Sequence, residues 1–335
     1  MIKRSLLKIL ALLCIFGGVA VCVFAYKYWF SSPPFSVFND LKVEEYIRTL
    51  DKYTFQRLRD SMSTPTKISL EKVLEKKTNY TSYLFSYTVS GKKVTGVMNL
   101  PNGGGKFPVI VMIRGYVDKE IYYSGLGTKR GSEAFAEQGY ITVAPDFLGY
   151  GGSDPESFDI LEARFAKPQA VLQLLSSLEI FDQADMNRLG IWGHSNGGQI
   201  ALSILEITQR NIPTTLWAPV SIGFPDSILA FTDELEDKGA YIKGQLATFD
   251  ERYKEEDYSI ADHFGDIAAP IQIHQGTADT EVKIEWTEKT ISTLKTLGKS
   301  VTLFTYPGED HNFTKGSFAK MMQRDLSFFQ KELKK

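Results

Sequence analysis

Ser195 stands in the pentad Gly193-His194-Ser195-Asn196-Gly197. A hydroxyl so framed is a candidate nucleophile, but only if a base takes its proton and a third group holds that base in one tautomer. The pattern alone is weak, and its flanks raise it. Leu189-Gly-Ile-Trp192 before it reads as a buried strand, and Gly198-Gln-Ile-Ala-Leu-Ser-Ile-Leu205 after it reads as a helix. In a sharp strand-to-helix turn the nucleophile takes a strained backbone conformation, and small residues two before and two after let the elements approach.

Partners for Ser195 are few. The chain has four histidines, and two lie downstream near the end of an expected late strand. His311 falls in the loop Gly308-Glu-Asp-His311-Asn-Phe313 and is the expected base, whereas His274 lies inside the strand Ile271-Gln-Ile-His274, where packing or a hydrogen bond is its expected role. His263 reads as structural. The expected acid is Asp279, in a loop following the strand Pro270-His274, at the carboxyl edge of a sheet. Glu281 reads as an exposed loop charge, and Asp310, adjacent to His311, should point away from it. Donors for a tetrahedral oxyanion are expected from the Asn196 N–H and from the turn Arg114-Gly115-Tyr116, with Tyr116 first and Gly115 as the alternative. Arg114 itself reads as a surface or inter-loop salt bridge.

The elements that must position these groups follow from hydrophobic period. Tyr80–Val89 and Val94–Leu100 alternate as an antiparallel hairpin, and Pro108–Ile113 is a continuous apolar run suited to a strand covered on both faces. Strands at Tyr140–Ala144, Arg188–Trp192, Thr214–Ala218, Pro270–His274 and Val301–Tyr306 follow. Helices are expected at Gly131–Gln138, Pro168–Leu178, Gly197–Thr208, Ile284–Leu297 and Ser317–Leu333. This order predicts an antiparallel opening hairpin leading into a mostly parallel, doubly wound sheet with helices on both faces, and with the strand, pentad and helix around Ser195 it resembles an α/β-hydrolase fold. Residues 221–262 break the alternation and carry eleven acidic residues against four basic ones. An insertion there could cover the carboxyl ends of the strands as a lid, and its negative potential would favour cationic substrates.

Together with Asp185-Met-Asn-Arg188-Leu-Gly190 before the nucleophile, Asp146-Phe-Leu-Gly149-Tyr-Gly151 upstream and Gly308-Glu-Asp-His311 downstream, the chain from Tyr80 to Leu333 resembles the catalytic domain of the prolyl oligopeptidase (S9) family. The resemblance implies Ser195, Asp279 and His311 as nucleophile, acid and base, and a structural role for Asp146–Gly151. Peptidases of that family usually carry a β-propeller, and no such domain fits before residue 80. The turn Arg114-Gly115-Tyr116 also departs from the family's usual oxyanion loop. The expected activity is hydrolysis of a peptide, amide or carboxylic ester bond through an acyl-enzyme. Peptidase is slightly favoured over carboxylesterase, and an acyltransferase or a non-catalytic binding domain of the same fold are the remaining alternatives.

At the N-terminus, residues 1–8 carry Lys3, Arg4 and Lys8, and Ile9–Tyr26 runs without charge ahead of Lys27 and the aromatic Tyr28-Trp29-Phe30. We read 1–8 as a cytoplasmic flank, 9–30 as a single transmembrane helix and signal anchor, 31–78 as a stalk or flanking helix (helical over about Leu41–Met62), and 79–335 as the hydrolase domain, facing outward. A cleaved signal peptide with secretion is the alternative. Both cysteines, Cys14 and Cys22, lie in the apolar run, so no thiolate site, metal or cofactor is expected. The net charge of −2, from 38 basic and 40 acidic residues, gives no footprint for nucleic acid. The expected partners are a small-molecule or short-peptide substrate and a membrane.

Overall fold

The computed structural model describes residues 48–335 apart from 62, 63, 234 and 335. The expected transmembrane helix at 9–30 lies outside the described residues. Among those described, no helix is long and apolar enough to cross a membrane.

Nine strands form one sheet: β1 Ser69–Lys76, β2 Tyr80–Val89, β3 Lys92–Pro101, β4 Phe107–Ile113, β5 Ile141–Pro145, β6 Ala184–His194, β7 Thr214–Trp217, β8 Ile271–Gly276 and β9 Val301–Tyr306. Their order is β1-β2-β3-β5-β4-β6-β7-β8-β9. Pairs from β5 through β9 are parallel, while β1, β2 and β3 join antiparallel. The helices are α1 Phe55–Asp60, α2 Lys129–Ala136, α3 Ile160–Glu179, α4 Asn196–Thr208, α5 Asp226–Leu229, α6 Ala240–Asp250, α7 Ile284–Thr296 and α8 Phe318–Glu332. β5, β7 and β8 bury every residue, and β4 its last five, as strands covered on both faces must. One core packs α1, α3, α4 and α7 against the sheet, through residues such as Leu58, Val171, Ile204 and Leu294. A second packs α2 and α8 against Trp192 and Trp217.

Three expectations need correction. The sheet begins at Ser69, not after residue 78, so part of the expected stalk is β1. Its Glu71, Lys72, Glu75 and Lys76 face solvent at a sheet edge, which erases the period-two signal. The helix expected over Leu41–Met62 is interrupted where it is described. Thr54 is extended (φ −60°, ψ 147°) and its hydroxyl accepts from the Arg57 N–H at 3.2 Å, so α1 starts afresh there. And α3 starts at Ile160 rather than Pro168, because the Asp159 carboxylate caps the N–H groups of Leu161 and Glu162 at 2.8 and 3.1 Å. Pro168, a good first residue for a helix, sits in its interior, where it has no N–H to give the Arg164 carbonyl.

Residues 221–262 form α5, α6 and three-residue to four-residue turns. A third apolar cluster roots them on α3: Phe165 meets Phe224 edge-on at 5.2 Å and Tyr258 at 4.6 Å, and Phe224 meets Phe249 at 5.1 Å.

Candidate active site

Ser195 occupies the turn between β6 and α4 with φ 54° and ψ −122°, a conformation L-residues avoid. Backbone hydrogen bonds hold it there. Its N–H donates to the Trp217 carbonyl at 2.9 Å, and its own carbonyl accepts from Gly198 at 2.9 Å and Val220 at 3.0 Å. Gly197 is required sterically, since a Cβ there would collide with the Ile113 and Arg114 carbonyls. The Ser195 hydroxyl makes no hydrogen bond among the described residues, and Asn196 begins α4, where a helix leaves its first N–H groups without internal acceptors.

His311 lies in the loop after β9, and its Nδ1 is 2.9 Å from Asp279 Oδ2. A carboxylate can only accept, so Nδ1 carries the proton and Nε2 is left with its lone pair. Asp279 is fully used: Oδ2 also accepts from the Gln275 amide at 2.9 Å, and Oδ1 accepts from the N–H groups of Glu281 and Val282, each at 2.9 Å. Burial pushes the Asp279 pKa up, but the His311 hydrogen bond and these backbone donors outweigh it and hold it below the ordinary aspartate value. Glu281 is exposed as expected, with its carboxylate 4.0 Å from His311 Nε2. Asp310 turns away to accept from the N–H groups of Asn312 and Thr314.

The turn after β4 comes against Ser195: a Cβ on Gly115 would stand 2.9 Å from the Ser195 Cβ. Tyr116 follows, exposed, with its hydroxyl donating to Asp118 at 2.9 Å. Arg114 is not the surface or inter-loop salt bridge expected of it. It is buried between the rings of Tyr122 and Tyr150, 4.4 and 4.1 Å from their centroids. Its Nη1 donates to the Gly115 carbonyl and its Nη2 to the Asp146 carbonyl, both at 2.9 Å. In a trans peptide the carbonyl of Gly115 and the N–H of Tyr116 point in opposite directions, so a guanidinium that fixes the first also aims the second. Asp146 itself is buried and accepts from Thr95, Tyr122 and Ser124, each at 2.6 Å, the structural role the resemblance implied.

His194 was not singled out by its sequence. Its Nε2 is 3.1 Å from the His311 carbonyl and its ring lies 4.8 Å from the His311 ring. Burial first, and then the neighbouring His311, bring its pKa down to about 4, so it stays neutral at physiological pH and donates through Nε2–H. It thus ties the residue before Ser195 to the loop that carries His311. Beside Tyr116 an open groove of about 1140 Å³ runs past Arg164 and Lys167 of α3 to Ile228, Leu235, Glu236 and Tyr241 of the 221–262 segment. Among the described residues no group of three or more His, Cys, Asp or Glu side chains is placed to hold a metal.

A family model described as the prolyl oligopeptidase family matches residues 128–335. The chain is 25% identical over 237 residues to the uncharacterized peptidase YtmA of Bacillus subtilis, covering 69% of this chain and 86% of that one. It is 27% identical over 112 residues to an uncharacterized 31.7 kDa protein of Escherichia coli and spans 37% of that protein's length. Among solved structures, acetyl xylan esterase 1 from Thermoanaerobacterium sp. superposes with a TM-score of 0.60 at 18% identity, covering 87% of this chain and 99% of that one, a likeness of fold.

Proposed function

The chain belongs to the prolyl oligopeptidase family, and from that premise we propose that it is a serine hydrolase whose nucleophile, base and acid are Ser195, His311 and Asp279. The observation that carries the reading is the 2.9 Å hydrogen bond from His311 to a saturated, buried Asp279, on loops beside the strained turn of Ser195. Ser195 Oγ attacks the carbonyl carbon as His311 Nε2 takes its proton. Asp279 stabilises the imidazolium without taking the proton itself. The oxyanion is met by the Asn196 N–H and by an N–H of the turn after β4, Tyr116 by preference and Gly115 as the alternative, with Arg114 as the residue that aims it. The intermediate collapses as His311 returns the proton to the leaving group, and water repeats the cycle on the acyl-enzyme.

Hydrolysis of short peptides or small amides is the favoured activity, supported by the family and by a groove that admits a chain of a few residues. Esterase action on small esters uses the same atoms, and matched acyl esters and amides separate the two. A fluorophosphonate probe is expected to label the wild type at Ser195 and not the Ser195→Ala variant, whose turnover falls to the ~10³–10⁴ above water left by the remaining donors. Labelling that persists in Ser195→Ala overturns the assignment. The apolar run at 9–30 supports a further reading, a membrane-held enzyme with its N-terminus in the cytoplasm, checked by retention in the membrane fraction after a carbonate wash.

A further inference from the structure

Arg164 and Lys167 stand one turn apart on α3 and form the wall between two spaces. On one side is the open groove that Tyr116 lines; on the other is a small cavity of about 30 Å³ that Asn196 lines. Room for about one water is all the cavity offers, so a substrate group can reach the two cations only from the groove.

Arg164 is fixed by its Nη2, which donates to Gln199 Oε1 and, at 2.8 Å, to Ser227 Oγ. Gln199 lies one turn into the helix that Ser195 starts, and its own amide donates to the Ile222 carbonyl at 3.1 Å. The guanidinium is therefore tethered to the nucleophile's helix by neutral partners only. Lys167 has no hydrogen bond or ion pair among the described residues. Of the carboxylates that line the groove, Glu156 pairs with Lys119, Asp237 accepts from the N–H groups of Gly239 and Tyr241, and Asp118 accepts from the Tyr116 hydroxyl, while Glu120 and Glu236 also line it and none of the five pairs with Arg164 or Lys167. Both cations are half-buried at the groove wall and neither is paired with a carboxylate among the described residues, so a negative charge brought from outside completes the arrangement.

We propose that Arg164 and Lys167 bind a carboxylate of the substrate, so that this hydrolase acts on acyl compounds bearing a negative charge a short reach from the scissile bond. The inference rests on the reading of Ser195 as nucleophile, and it names the substrate class for that site. The titration of the pair agrees. Burial first, and then Arg164 and Arg114, lower the Lys167 pKa to about 8, with Glu156 acting upward and Lys119 downward, and burial lowers Arg164 to about 10. A bound carboxylate reverses that tendency.

The test uses the full chain and two kinds of measurement. In the first, kcat/KM is compared for the 4-nitrophenyl monoester of glutaric acid and 4-nitrophenyl valerate, which put the charge or a methyl group on the acyl side. The second pair, 4-carboxyphenyl butyrate and 4-methylphenyl butyrate, does the same on the leaving side. The wild type is expected to prefer the charged member of one pair about 10- to 100-fold, the range of a hydrogen bond to a charged group. Lys167→Met should raise KM for the charged substrates about 10-fold or more beyond any change it makes for the neutral ones, and the wild-type KM for the charged substrate should rise above about pH 8. In the second measurement, calorimetry with monomethyl glutarate on Ser195→Ala should show binding that Lys167→Met removes. Since Ser195→Ala needs no turnover, this arm fails only if the anion site fails, whereas absent labelling of the wild type by fluorophosphonate fails the nucleophile reading alone. Equal kcat/KM within both pairs, or equal losses on charged and neutral substrates in Lys167→Met, overturns the proposal.

Discussion

The structure contains two histidine–aspartate pairs of almost equal length, and they differ in what the far side of the imidazole does. His274 in β8 is 2.8 Å from Asp325 of α8 through Nε2, and its Nδ1 is 2.6 Å from the Tyr306 hydroxyl. Asp325 also accepts from Thr215 at 2.6 Å, Trp217 at 2.8 Å and Gln272 at 2.9 Å, and the whole group is closed to solvent. His311 spends one nitrogen on Asp279, and its other nitrogen makes no hydrogen bond among the described residues, with the exposed Glu281 carboxylate 4.0 Å away. A short bond to a carboxylate is thus common to a cross-brace and to a candidate base. What separates them is a free nitrogen at the carboxyl edge of the sheet, beside a strained serine. His274 in effect repeats the chemistry of His311 with the reactive valence filled, and a filled valence makes it glue for β7, β8 and α8.

If the comparison is right, removing the two aspartates gives opposite phenotypes. Asp279→Asn is expected to cut kcat about 10⁴-fold with little change in Tm, because it spoils the tautomer of the base rather than the packing. Asp325→Asn is expected to cost on the order of 3 kcal/mol of stability, read by denaturant unfolding, while turnover per folded molecule persists. A fully folded Asp325→Asn without activity would break the comparison. Smaller in effect is Arg114→Met, which frees the Gly115 carbonyl; kcat should fall about 10- to 100-fold with KM nearly constant, the size expected when one oxyanion donor is misdirected rather than deleted. An unchanged kcat would mean that the Tyr116 N–H is not a donor.

A third buried carboxyl sharpens the contrast because it has no histidine at all. Both oxygens of Glu206 on α4 lack partners among the described residues, and burial, with Asp266 and Asp262 adding to it, raises its pKa well above the ordinary glutamate value. A carboxyl whose folded pKa is raised contributes its stability below its unfolded pKa and loses it as pH climbs toward the folded one. Glu206→Gln should therefore match the wild type near pH 4 and exceed it by about 1–2 kcal/mol at pH 8, in urea melts at both pH values. A variant no more stable at pH 8 would show that Glu206 is partnered in solution.

The parts of this molecule that could be read from its sequence are those with a period or a punctuation. The parallel strands announced themselves as apolar runs, and the loop positions of Asp279 and His311 followed from where those runs stop; the structure brings the two within hydrogen-bonding distance. β1 could not be read, because an edge strand with charge on its exposed residues has lost its alternation. Arg114 misled for a different reason: a guanidinium between Tyr122 and Tyr150 depends on three loops meeting, and no local spacing records that. Arg164 and Lys167 at i and i+3 look like any solvated helix face until α5 and α6 are laid beside them. His194 was hidden by its neighbour, since the pentad draws attention to the serine and leaves the variable position unread.

Trp217 gives the two pairs a common reporter. Its backbone carbonyl receives the Ser195 N–H at 2.9 Å, its indole N–H is given to Asp325 at 2.8 Å, and its ring meets Trp192 edge-on at 5.1 Å. Among the four tryptophans of the chain, it is joined to Ser195 through its main chain and to the buried brace through its side chain. Modification of Ser195 is expected to perturb it from one end and loosening of α8 from the other, a change to be read as the difference in emission between the wild type and Trp217→Phe.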